Sequence, residues 1–448
     1  MPSAPQSERP RALLIGYQFP PAGGISVQRM LAMARYLPEN GIDVHVLCAS
    51  NPCVPTMDAS LVSRIPPNVQ VTRTWSPEIP CSLRQGLWRW LAAFRGRKSP
   101  PPAKPSSSQP SRPSSNLLQN AIRRILSPDP EVLWVPGALR AARRIIARER
   151  IDLVVVSVPP FSSLLIGNRL KRDFPALKLV SDFRDEWLDF FLNAFEYFRS
   201  DSIRRHATRI EAETVALSDL VLSITNSCVN TIRSRYPELP SSRFLCLPNG
   251  FDPAMFSDFK PRPHGETALR VAHVGTVYLT ATPRFYLDAL DALDDETRSR
   301  ISTHFVGRIT DEERPSMLNR KSHVVEHGFV PQRQAVEAMA EADVLLLTMT
   351  DPSFTSGKIY DYLATGKPIL AISPKGGEVD DVLRETGAGW LADPNEPGSI
   401  RDAMLEILAL RDSGQLASRS NPDRIAHYAR PSLVASFAER LHVLLEAK

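Results

Sequence analysis

The chain has 448 residues, 43% of them hydrophobic and 23% charged, which is too long for one ordinary core and too apolar for a disordered protein. Its formal net charge of +5 is a mild excess that suits a phosphorylated ligand, an anionic lipid surface or nucleic acid equally well. Five cysteines without C-x-x-C or zinc spacing predict free thiols in a reducing compartment, and hence a cytoplasmic location.

Signals for secretion and for membrane insertion are both expected to be absent. Residues 1–10 are polar, lack the apolar core of a signal peptide, and are predicted to be a disordered N-terminus. No stretch of the sequence approaches the ~18 consecutive apolar residues that a membrane-spanning helix needs.

From residue 11 onward, apolar strands alternate with amphipathic helices. A strand at 12–17, a helix from 25 to 37 and a strand at 42–48 form the first βαβ unit. Four more strands are predicted before residue 251, at 153–158, 177–183, 219–225 and 244–250. Because these strands are apolar almost throughout, a parallel sheet covered by helices on both faces is predicted.

The alternation stops at residues 251–268, which are rich in Pro, Asp and Gly and are predicted to be a linker. It then restarts with strands at 269–277, 304–307, 324–330, 343–349 and 368–373. Helices at 400–410 and 433–446 close the chain. The pattern therefore predicts an α/β protein with two Rossmann-like, doubly wound domains, at residues 11–255 and 269–430, followed by a terminal segment at 431–448.

One segment does not fit this alternation. In residues 99–115, 13 of 17 are Pro or Ser, which predicts a disordered loop. The segment before it places Trp88 and Trp90 beside Arg89 and Arg95, a composition typical of a helix that lies in a membrane interface. An ordinary surface helix whose aromatic face packs on its own domain explains the same pattern, so the two interpretations stay open.

Ligands of doubly wound sheets bind outside the carboxyl ends of the strands. Gly23 and Gly24 follow the first strand and precede a helix, so backbone N–H groups and the helix dipole can face an anion, although a tight turn also needs glycine. Asp182, Arg184 and Asp185 crowd the end of another buried strand. Such charges are costly unless paired, so they indicate either groups facing a cleft or an Arg–Asp pair that braces the loop.

A third candidate lies at the start of a helix near residue 358. Lys358 is in the first turn and Asp361 is three residues on, on the same face. A cation and a carboxylate there suit a phosphate and a ribose hydroxyl, and a surface ion pair is the alternative. His273 lies in a strand pattern, which is more typical of a core histidine than of a base. There is no Asp-x-Asp sequence, so no metal site is predicted.

Seven segments of the sequence form a recognisable series, which is YQFPPAGGISVQR, SDFRDEW, LPNGFD, HVGTVY, FVGR, HGFVPQRQAVEAMAEADVLLL and SGKIYDYLATGKPIL. In these segments and their order, the sequence resembles the family 4 glycosyltransferases, the large retaining group with the GT-B fold. The resemblance runs from about residue 11 to the end of the chain, except for the Pro/Ser loop.

The resemblance implies two Rossmann-like domains facing a central cleft, with the last helix crossing back to the N-terminal domain. The C-terminal domain would hold the nucleotide sugar and the N-terminal domain the acceptor. The implied donor residues are Phe329 near the base, Gly275, Arg308 and Lys358 at the diphosphate, Asp361 at the ribose, and Gly23 and Gly24 from the opposite domain.

The sequence also departs from the family pattern. The first glutamate of the family's paired glutamates maps to Ser353 and the second to the shorter Asp361. The basic residues that many members carry after the first C-terminal strand are reduced to Arg284. The histidine that many members carry in the N-terminal domain is replaced by Arg184, as in a subset with the sequence D-x-R-D-x-W.

The predicted function is therefore retaining transfer of a sugar from a nucleotide-diphosphate sugar to a saccharide or lipid-linked acceptor, in surface polysaccharide or lipopolysaccharide synthesis. Asp182, Arg184 and Asp185 are the predicted catalytic residues, and Trp88, Arg89, Trp90 and Arg95 the predicted membrane contacts. No metal, no cofactor beyond the donor and no nucleic-acid partner are expected. A nucleotide-sugar epimerase and a catalytically degenerate membrane-associated scaffold of a glycan assembly complex remain the alternatives.

Overall fold

The structure is a computed structural model that describes residues 9–54, 57–77, 126–192, 201–262, 267–351, 356–396, 398–416 and 420–446. The chain divides into two compact units, Met1–Leu247 with Val434–Lys448, and Pro248–Leu433. The predicted Pro/Ser loop at 99–115 and the predicted membrane residues Trp88, Arg89, Trp90 and Arg95 lie outside the described residues, as does Ser353.

The first unit is built on a parallel sheet. Its strands are β1 (Arg11–Gly16), β2 (Asp43–Ala49), β3 (Gln70–Thr74), β4 (Leu153–Val158), β5 (Lys178–Phe183), β6 (Leu220–Ser223) and β7 (Phe244–Cys246). Their order across the sheet is β3-β2-β1-β4-β5-β6-β7. The winding therefore reverses between β1 and β4, and β4 is buried along its whole length, as a strand covered on both faces should be.

Among the described residues before the second unit, five helices accompany this sheet: α1 (Ile25–Glu39), α2 (Val135–Glu149), α3 (Leu164–Asp173), α4 (Asp201–Leu217) and α5 (Asn226–Ser234). On one face, Leu13 and Ile15 of β1 pack in a core with Ala138 of α2 and Ile166 of α3. Apolar residues at helical spacing are thereby buried against apolar strands, which is the packing that the sequence pattern predicts.

The second unit is built on a parallel sheet in the order β10-β9-β8-β11-β12-β13. Its strands are β8 (Leu269–Val274), β9 (Ile301–Val306), β10 (His323–Gly328), β11 (Val344–Thr348), β12 (Ile369–Ile372) and β13 (Gly389–Ala392). Alternate residues of β8 enter different cores, Val271 with Tyr286 on one face and Ala272 with Met339 on the other. Helices therefore cover both faces of this sheet.

The helices of the second unit begin with three short ones, α6 (Arg284–Asp291), α7 (Asp295–Ser299) and α8 (Arg314–Met317). They continue with α9 (Gln332–Glu341), α10 (Lys358–Thr365), α11 (Glu378–Thr386), α12 (Ser399–Asp412) and α13 (Pro422–His427). Helix α10 follows β11 directly after the residues 352–355, so its first turn lies at the carboxyl edge of the sheet.

The last helix, α14 (Arg430–Glu446), returns to the first unit, which contains Val434–Lys448. The Arg440 guanidinium donates to the Ser242 carbonyl oxygen at 2.6 Å, and a His442 ring nitrogen lies 3.0 Å from the Asn40 carbonyl oxygen. Phe437 is completely buried on the apolar face of this helix. The crossing back of the last helix, expected from the resemblance, is therefore present.

The strands predicted from apolar runs are all present, with shifted ends; the predicted strands 244–250 and 269–277 stop at Cys246 and Val274. Two strands were not predicted. β3 is a half-exposed strand with the sequence QVTRT, and β13 has only 4 residues. Both are edge strands, where one side lacks a covering neighbour and the apolar signal is weak.

The boundary between the units differs from the expected one. The sequence places the end of the first domain at residue 255, whereas the first unit ends at Leu247. The predicted linker is packed rather than free: Phe251 and Phe256 are buried in a core of the second unit. The N–H of Phe251 donates to the Tyr428 carbonyl oxygen at 3.0 Å, so this segment is fixed by backbone bonding as well.

The cysteines depart in part from the expectation of free thiols. Cys48, Cys228 and Cys246 form no disulfide. The expectation is wrong at Cys53, which is disulfide-bonded in the half-buried loop after β2, where the chain leaves the sheet. Among the described helices, none combines the length with the apolarity that crossing a bilayer requires.

We expect Phe437→Ala to lower the free energy of unfolding of the first unit by about 3–5 kcal/mol, because it leaves a cavity where a completely buried ring packs. Val443→Ala on the same helix is the control, since Val443 is 54% exposed and its truncation should cost about 0.5 kcal/mol or less. Denaturant titration of both variants measures the difference. Equal, small losses would show that α14 is not an integral part of the first unit.

Candidate functional site

The second sheet opens between the neighbouring strands β8 and β11, where its winding reverses. The ladder between them covers only Val344 and Leu345 of β11 and then stops, although both strands continue. The Tyr362 hydroxyl enters the opening, accepting the N–H of Val274 at 2.9 Å and lying 3.3 Å from the Leu346 carbonyl oxygen. Ligands of doubly wound sheets bind at such a reversal, outside the carboxyl ends of the strands.

Lys358, in the first turn of α10, reaches into this opening. Its Nζ donates to the Thr276 carbonyl oxygen at 2.8 Å and lies 3.1 Å from Nε2 of His273. An ammonium group has three N–H donors, so within the described part of the chain one of them has no acceptor. Burial lowers the pKa of Lys358 to about 8, so the side chain is a cation at neutral pH and loses its charge above pH 8.

Two glycines permit this arrangement. Gly275 has a φ of +134°, and a Cβ there would lie 2.3 Å from Cε of Lys358. Gly307 has a φ of +140°, and a Cβ there would lie 2.3 Å from the carbonyl oxygen of Gly275. The loops after β8 and β9 therefore meet at a distance that only glycine allows, with the lysine stem lying over the first of them.

Asp361 lies one turn further along α10 and is half-buried. Burial raises the pKa of Asp361 to about 6, and the Arg430 cation opposes this shift. Arg430 is itself buried, and its Nε donates to the Asn249 carbonyl oxygen at 3.3 Å. No hydrogen bond joins Asp361 to another side chain of the described residues, so its carboxylate oxygens are available to hydroxyl groups.

The other predicted donor residues are exposed near the same edge of the sheet. Arg308 follows Gly307 after β9, and Phe329 follows β10 with 84% of its surface exposed. Arg284 begins α6, with its guanidinium carbon 5.1 Å from the centre of the Phe285 ring. The described residues show no hydrogen bond from these three side chains to Lys358, so the structure brings together Gly275 and Lys358 but leaves the rest as separate groups.

In the first unit, Asp182 is completely buried at the end of β5 and fully engaged. Arg29 of α1 donates to it through Nε at 3.0 Å and through Nη2 at 2.8 Å, and the Ser157 hydroxyl donates at 2.7 Å. A third donor of Arg29 reaches the Leu247 carbonyl oxygen at 2.7 Å. The bracing Arg–Asp pair considered from sequence is present, but its arginine is Arg29, and Asp182 joins α1 to the sheet.

Arg184 has hydrogen-bond partners in the backbone, whereas Asp185 has none among the described residues. Arg184 is buried and donates through Nε to the Val158 carbonyl oxygen at 3.0 Å and through Nη2 to that of Pro159. Asp185 has no hydrogen-bond partner in the described part of the chain, and burial raises its pKa while the Arg184 cation partly opposes the rise. Asp185 is therefore the one of these three predicted residues with a carboxyl group open to a ligand.

The backbone on either side of Asp185 is firmly held. Glu186 accepts three backbone N–H groups at the start of the π-helix Trp187–Phe191 and pairs with Arg235 at 2.7 Å. Gly23 and Gly24 follow β1, which β4 separates from β5 in the sheet. Gly24, with a φ of +106°, begins helix α1 without a side-chain cap. The glycine turn therefore presents uncapped backbone N–H groups on the helix that Arg29 anchors.

Sequence reasoning missed Arg29, Ser157, Tyr362 and Arg430, and assigned no role at the site to His273. Each is a polar residue inside an apolar element, and a buried polar side chain without a local partner was the available signal. Their partners lie far along the chain, as in the 153 residues between Arg29 and Asp182. Among the described residues, no three His, Cys, Asp or Glu side chains converge as metal ligands do.

Replacing Arg29 by Met should lower the free energy of unfolding by about 3–5 kcal/mol, because Asp182 is then left as a buried charge without its cation. The double change Arg29→Met with Asp182→Leu should recover most of that loss, since no buried charge remains. Arg143→Met, which removes a half-exposed pair with Asp173, should cost about 1 kcal/mol or less. A double variant no more stable than Arg29→Met would contradict the bracing role.

Two family models match separate parts of the chain. Residues 100–255 match the model described as Glycosyltransferase Family 4, and residues 268–410 match the model described as Glycosyl transferases group 1. The second match contains Gly275, Arg308, Lys358 and Asp361, and the first contains the Asp182–Asp185 segment.

A short sequence match and several structural matches add to this. The chain is 36% identical over 86 residues to the probable glycosyltransferase WbjE of Pseudomonas aeruginosa, which covers 18% of this chain and 22% of that protein. HepE of Anabaena, solved in complex with UDP, matches with a TM-score of 0.59 at 14% identity over 97% of this chain and 100% of its own.

A further structural match is WaaG, a glycosyltransferase involved in lipopolysaccharide biosynthesis, with a TM-score of 0.55 at 14% identity over 98% of this chain and 100% of its own. At these identities the structural matches establish the fold alone. The structural matches therefore show the GT-B fold, and each of the two glycosyltransferase family models matches about a third of the chain.

Proposed function

We propose that this protein transfers a sugar, with retention of configuration and without a metal ion, from a nucleoside-diphosphate sugar bound in its second unit. The observation that carries the proposal is the half-buried ammonium of Lys358, held in the opening between β8 and β11 with one N–H that has no acceptor among the described residues. A preorganised cation at this position is suited to the charge that develops on a leaving diphosphate.

The other proposed contacts to the nucleotide sugar follow from the charge and polarity of each side chain. Arg308 and Arg284 are exposed cations at the same edge of the sheet, suited to the diphosphate, and Gly275 gives close backbone approach. The Asp361 carboxylate suits the ribose hydroxyls, and the exposed Phe329 ring suits a base. HepE has been solved with UDP and with UDP-glucose, which supports a uridine nucleotide as the first donor to test.

In the proposed reaction the bond between the sugar C1 and the diphosphate oxygen breaks as the acceptor oxygen bonds to C1 on the same face. The acceptor's proton passes to the departing phosphate oxygen, so no separate protein base is required. The protein's contribution is to hold both substrates and to stabilise the diphosphate, for which Lys358 and Arg308 supply positive charge.

The first unit is proposed to hold the acceptor. Asp185 offers a carboxyl group without a hydrogen-bond partner in the described part of the chain, at the carboxyl end of β5, and can accept from an acceptor hydroxyl. The Gly23–Gly24 turn is proposed to meet the donor, and Arg184 and Asp182 to keep the loop and α1 in place. The proposed acceptor is a saccharide or a lipid-linked saccharide, in surface polysaccharide or lipopolysaccharide synthesis, and the description of WaaG as a glycosyltransferase involved in lipopolysaccharide biosynthesis supports it.

We expect Lys358→Ala to reduce turnover of the nucleotide sugar by ~10²-fold or more, because one preorganised donor to the leaving group is lost. Lys367→Ala is the matched control: Lys367 is another half-buried lysine, but it precedes β12 at the opposite edge of the sheet and donates to the Ala342 carbonyl oxygen. Release of UDP from UDP-glucose, measured with and without EDTA, provides the assay.

Near-normal activity of Lys358→Ala would contradict the assignment of this lysine, and loss of wild-type activity in EDTA would contradict the metal-independent mechanism. Thermal melts against UDP, GDP and ADP separate binding from catalysis, since a ligand at ~100 times its dissociation constant stabilises by ~2.7 kcal/mol. A wild-type protein that none of these nucleotides stabilises would favour the scaffold alternative over an enzyme.

A cytoplasmic location with peripheral contact to the membrane is part of the proposal, supported by the basic, tryptophan-bearing sequence around residue 90. Changing Trp88 and Trp90 together to Ala should reduce co-sedimentation with vesicles that contain anionic lipid. Vesicles of neutral lipid are the control, and they should bind the wild type weakly because the arginines then lack a partner. Failure of the wild type to sediment with anionic vesicles would contradict the membrane contact.

A further inference from the structure

His273 is a completely buried histidine that the proposed mechanism does not use. It lies on β8, one residue before Val274, where the ladder to β11 has already ended. Its ring centre is 5.8 Å from that of Phe305, so apolar neighbours cover one side. A buried imidazole in an apolar strand is expected to have both of its nitrogens engaged.

The partners of the two nitrogens fix the tautomer. Nδ1 lies 3.0 Å from the Leu346 carbonyl oxygen, which can only accept, so Nδ1 carries the hydrogen. Nε2 lies 3.1 Å from Nζ of Lys358, whose ammonium can only donate. The Thr276 carbonyl oxygen is also a backbone neighbour of the ring, but it accepts from the same Nζ, so with the hydrogen on Nδ1 the Nε2 atom is an acceptor. Burial and the Lys358 cation hold the pKa of His273 well below its usual range, in agreement with a neutral ring.

The imidazole makes two bonds, and the one to Leu346 helps to close the opening. The Tyr362 hydroxyl lies 3.3 Å from the Leu346 and Val274 carbonyl oxygens alike, and its single hydrogen can serve only one of them. The imidazole also provides a fixed acceptor for Lys358. The Thr276 carbonyl oxygen is the other acceptor, and together they use two of the three N–H groups of the ammonium.

We propose that His273 is a positioning residue whose Nε2 lone pair, with the Thr276 carbonyl oxygen, aims the third N–H of Lys358 at the diphosphate of the donor. This inference rests on the proposed function, because it assumes that a diphosphate binds beside Lys358. A lysine side chain has four rotatable bonds, so two fixed acceptors remove orientations that would otherwise have to be lost on binding.

Two substitutions separate the two hydrogen bonds of His273. His273→Asn keeps an N–H near the position of Nδ1 for Leu346 but has no atom that reaches Lys358. His273→Gln is long enough to offer an acceptor to Lys358. We expect the Asn variant to bind UDP about 10-fold or more weakly, as for loss of a hydrogen bond to a charged group, and the Gln variant to recover much of that loss.

Uridine, which lacks the diphosphate, distinguishes aiming of Lys358 from general disruption. Both variants should bind uridine as the wild type does, whereas a collapsed site would lose UDP and uridine together. Tyr362→Phe is the control within the opening, because it removes the hydroxyl bonds to Val274 and Leu346 and leaves the bond between His273 and Lys358 intact. It should lower stability while leaving the ratio of UDP to uridine affinity unchanged.

A measurement without ligand tests the same geometry. In protein labelled with ¹⁵N-histidine, the His273 signals, assigned by their absence from His273→Gln, should show a neutral ring protonated on Nδ1. An Nε2-protonated or charged ring at neutral pH would overturn the proposal, as would an Asn variant that binds UDP within two-fold of the wild type. Wild-type protein that does not bind UDP at all would instead contradict the proposed function, and this inference with it.

Discussion

The early end of the ladder between β8 and β11 is the constraint on which the rest of the second unit depends. A parallel pair that stops bonding leaves N–H and carbonyl groups of buried strands without partners, and such groups must be satisfied. Here the Tyr362 hydroxyl and the His273 imidazole take up the Val274 N–H and the Leu346 carbonyl oxygen. The opening therefore persists as a polar crevice in an otherwise apolar sheet, and Lys358 occupies it.

Each unit has polar side chains at the point where the winding of its sheet reverses, but these side chains are bonded differently in the two units. In the first, the point where the winding reverses is braced by a buried ion pair, Arg29 with Asp182, supported by the Ser157 hydroxyl. This pair is fully committed to structure, which leaves Asp185 nearby as the carboxyl group without a partner among the described residues. In the second, the acceptors of Lys358 among the described residues are both neutral, so its charge remains available to an anionic ligand.

Much of the fold could be predicted from the sequence, because strands buried on both faces are apolar throughout and stand out from their surroundings. Edge strands such as β3 lack that signal. The location of the candidate ligand-binding segments could also be predicted, because the loops that follow parallel strands lie at one edge of the sheet. The partners of the buried polar side chains could not be predicted. Asp182 bonds to Arg29 rather than to Arg184, and Lys358 bonds to His273, which is 85 residues away in the chain. Such choices are made by three-dimensional packing and leave no local pattern.

The central claim is that a diphosphate binds against Lys358, and the most direct test is the proton taken up on binding at pH 8. Because the pKa of the free Lys358 is about 8, about half of the molecules carry a neutral amine at that pH, and a bound diphosphate favours the ammonium.

Calorimetric titration of UDP-glucose in buffers of different ionisation enthalpy should therefore show uptake of about half a proton per ligand, and none in Lys358→Met. UDP-glucose is suitable because its diphosphate does not itself titrate in this range. Binding without proton uptake by the wild type would contradict the account.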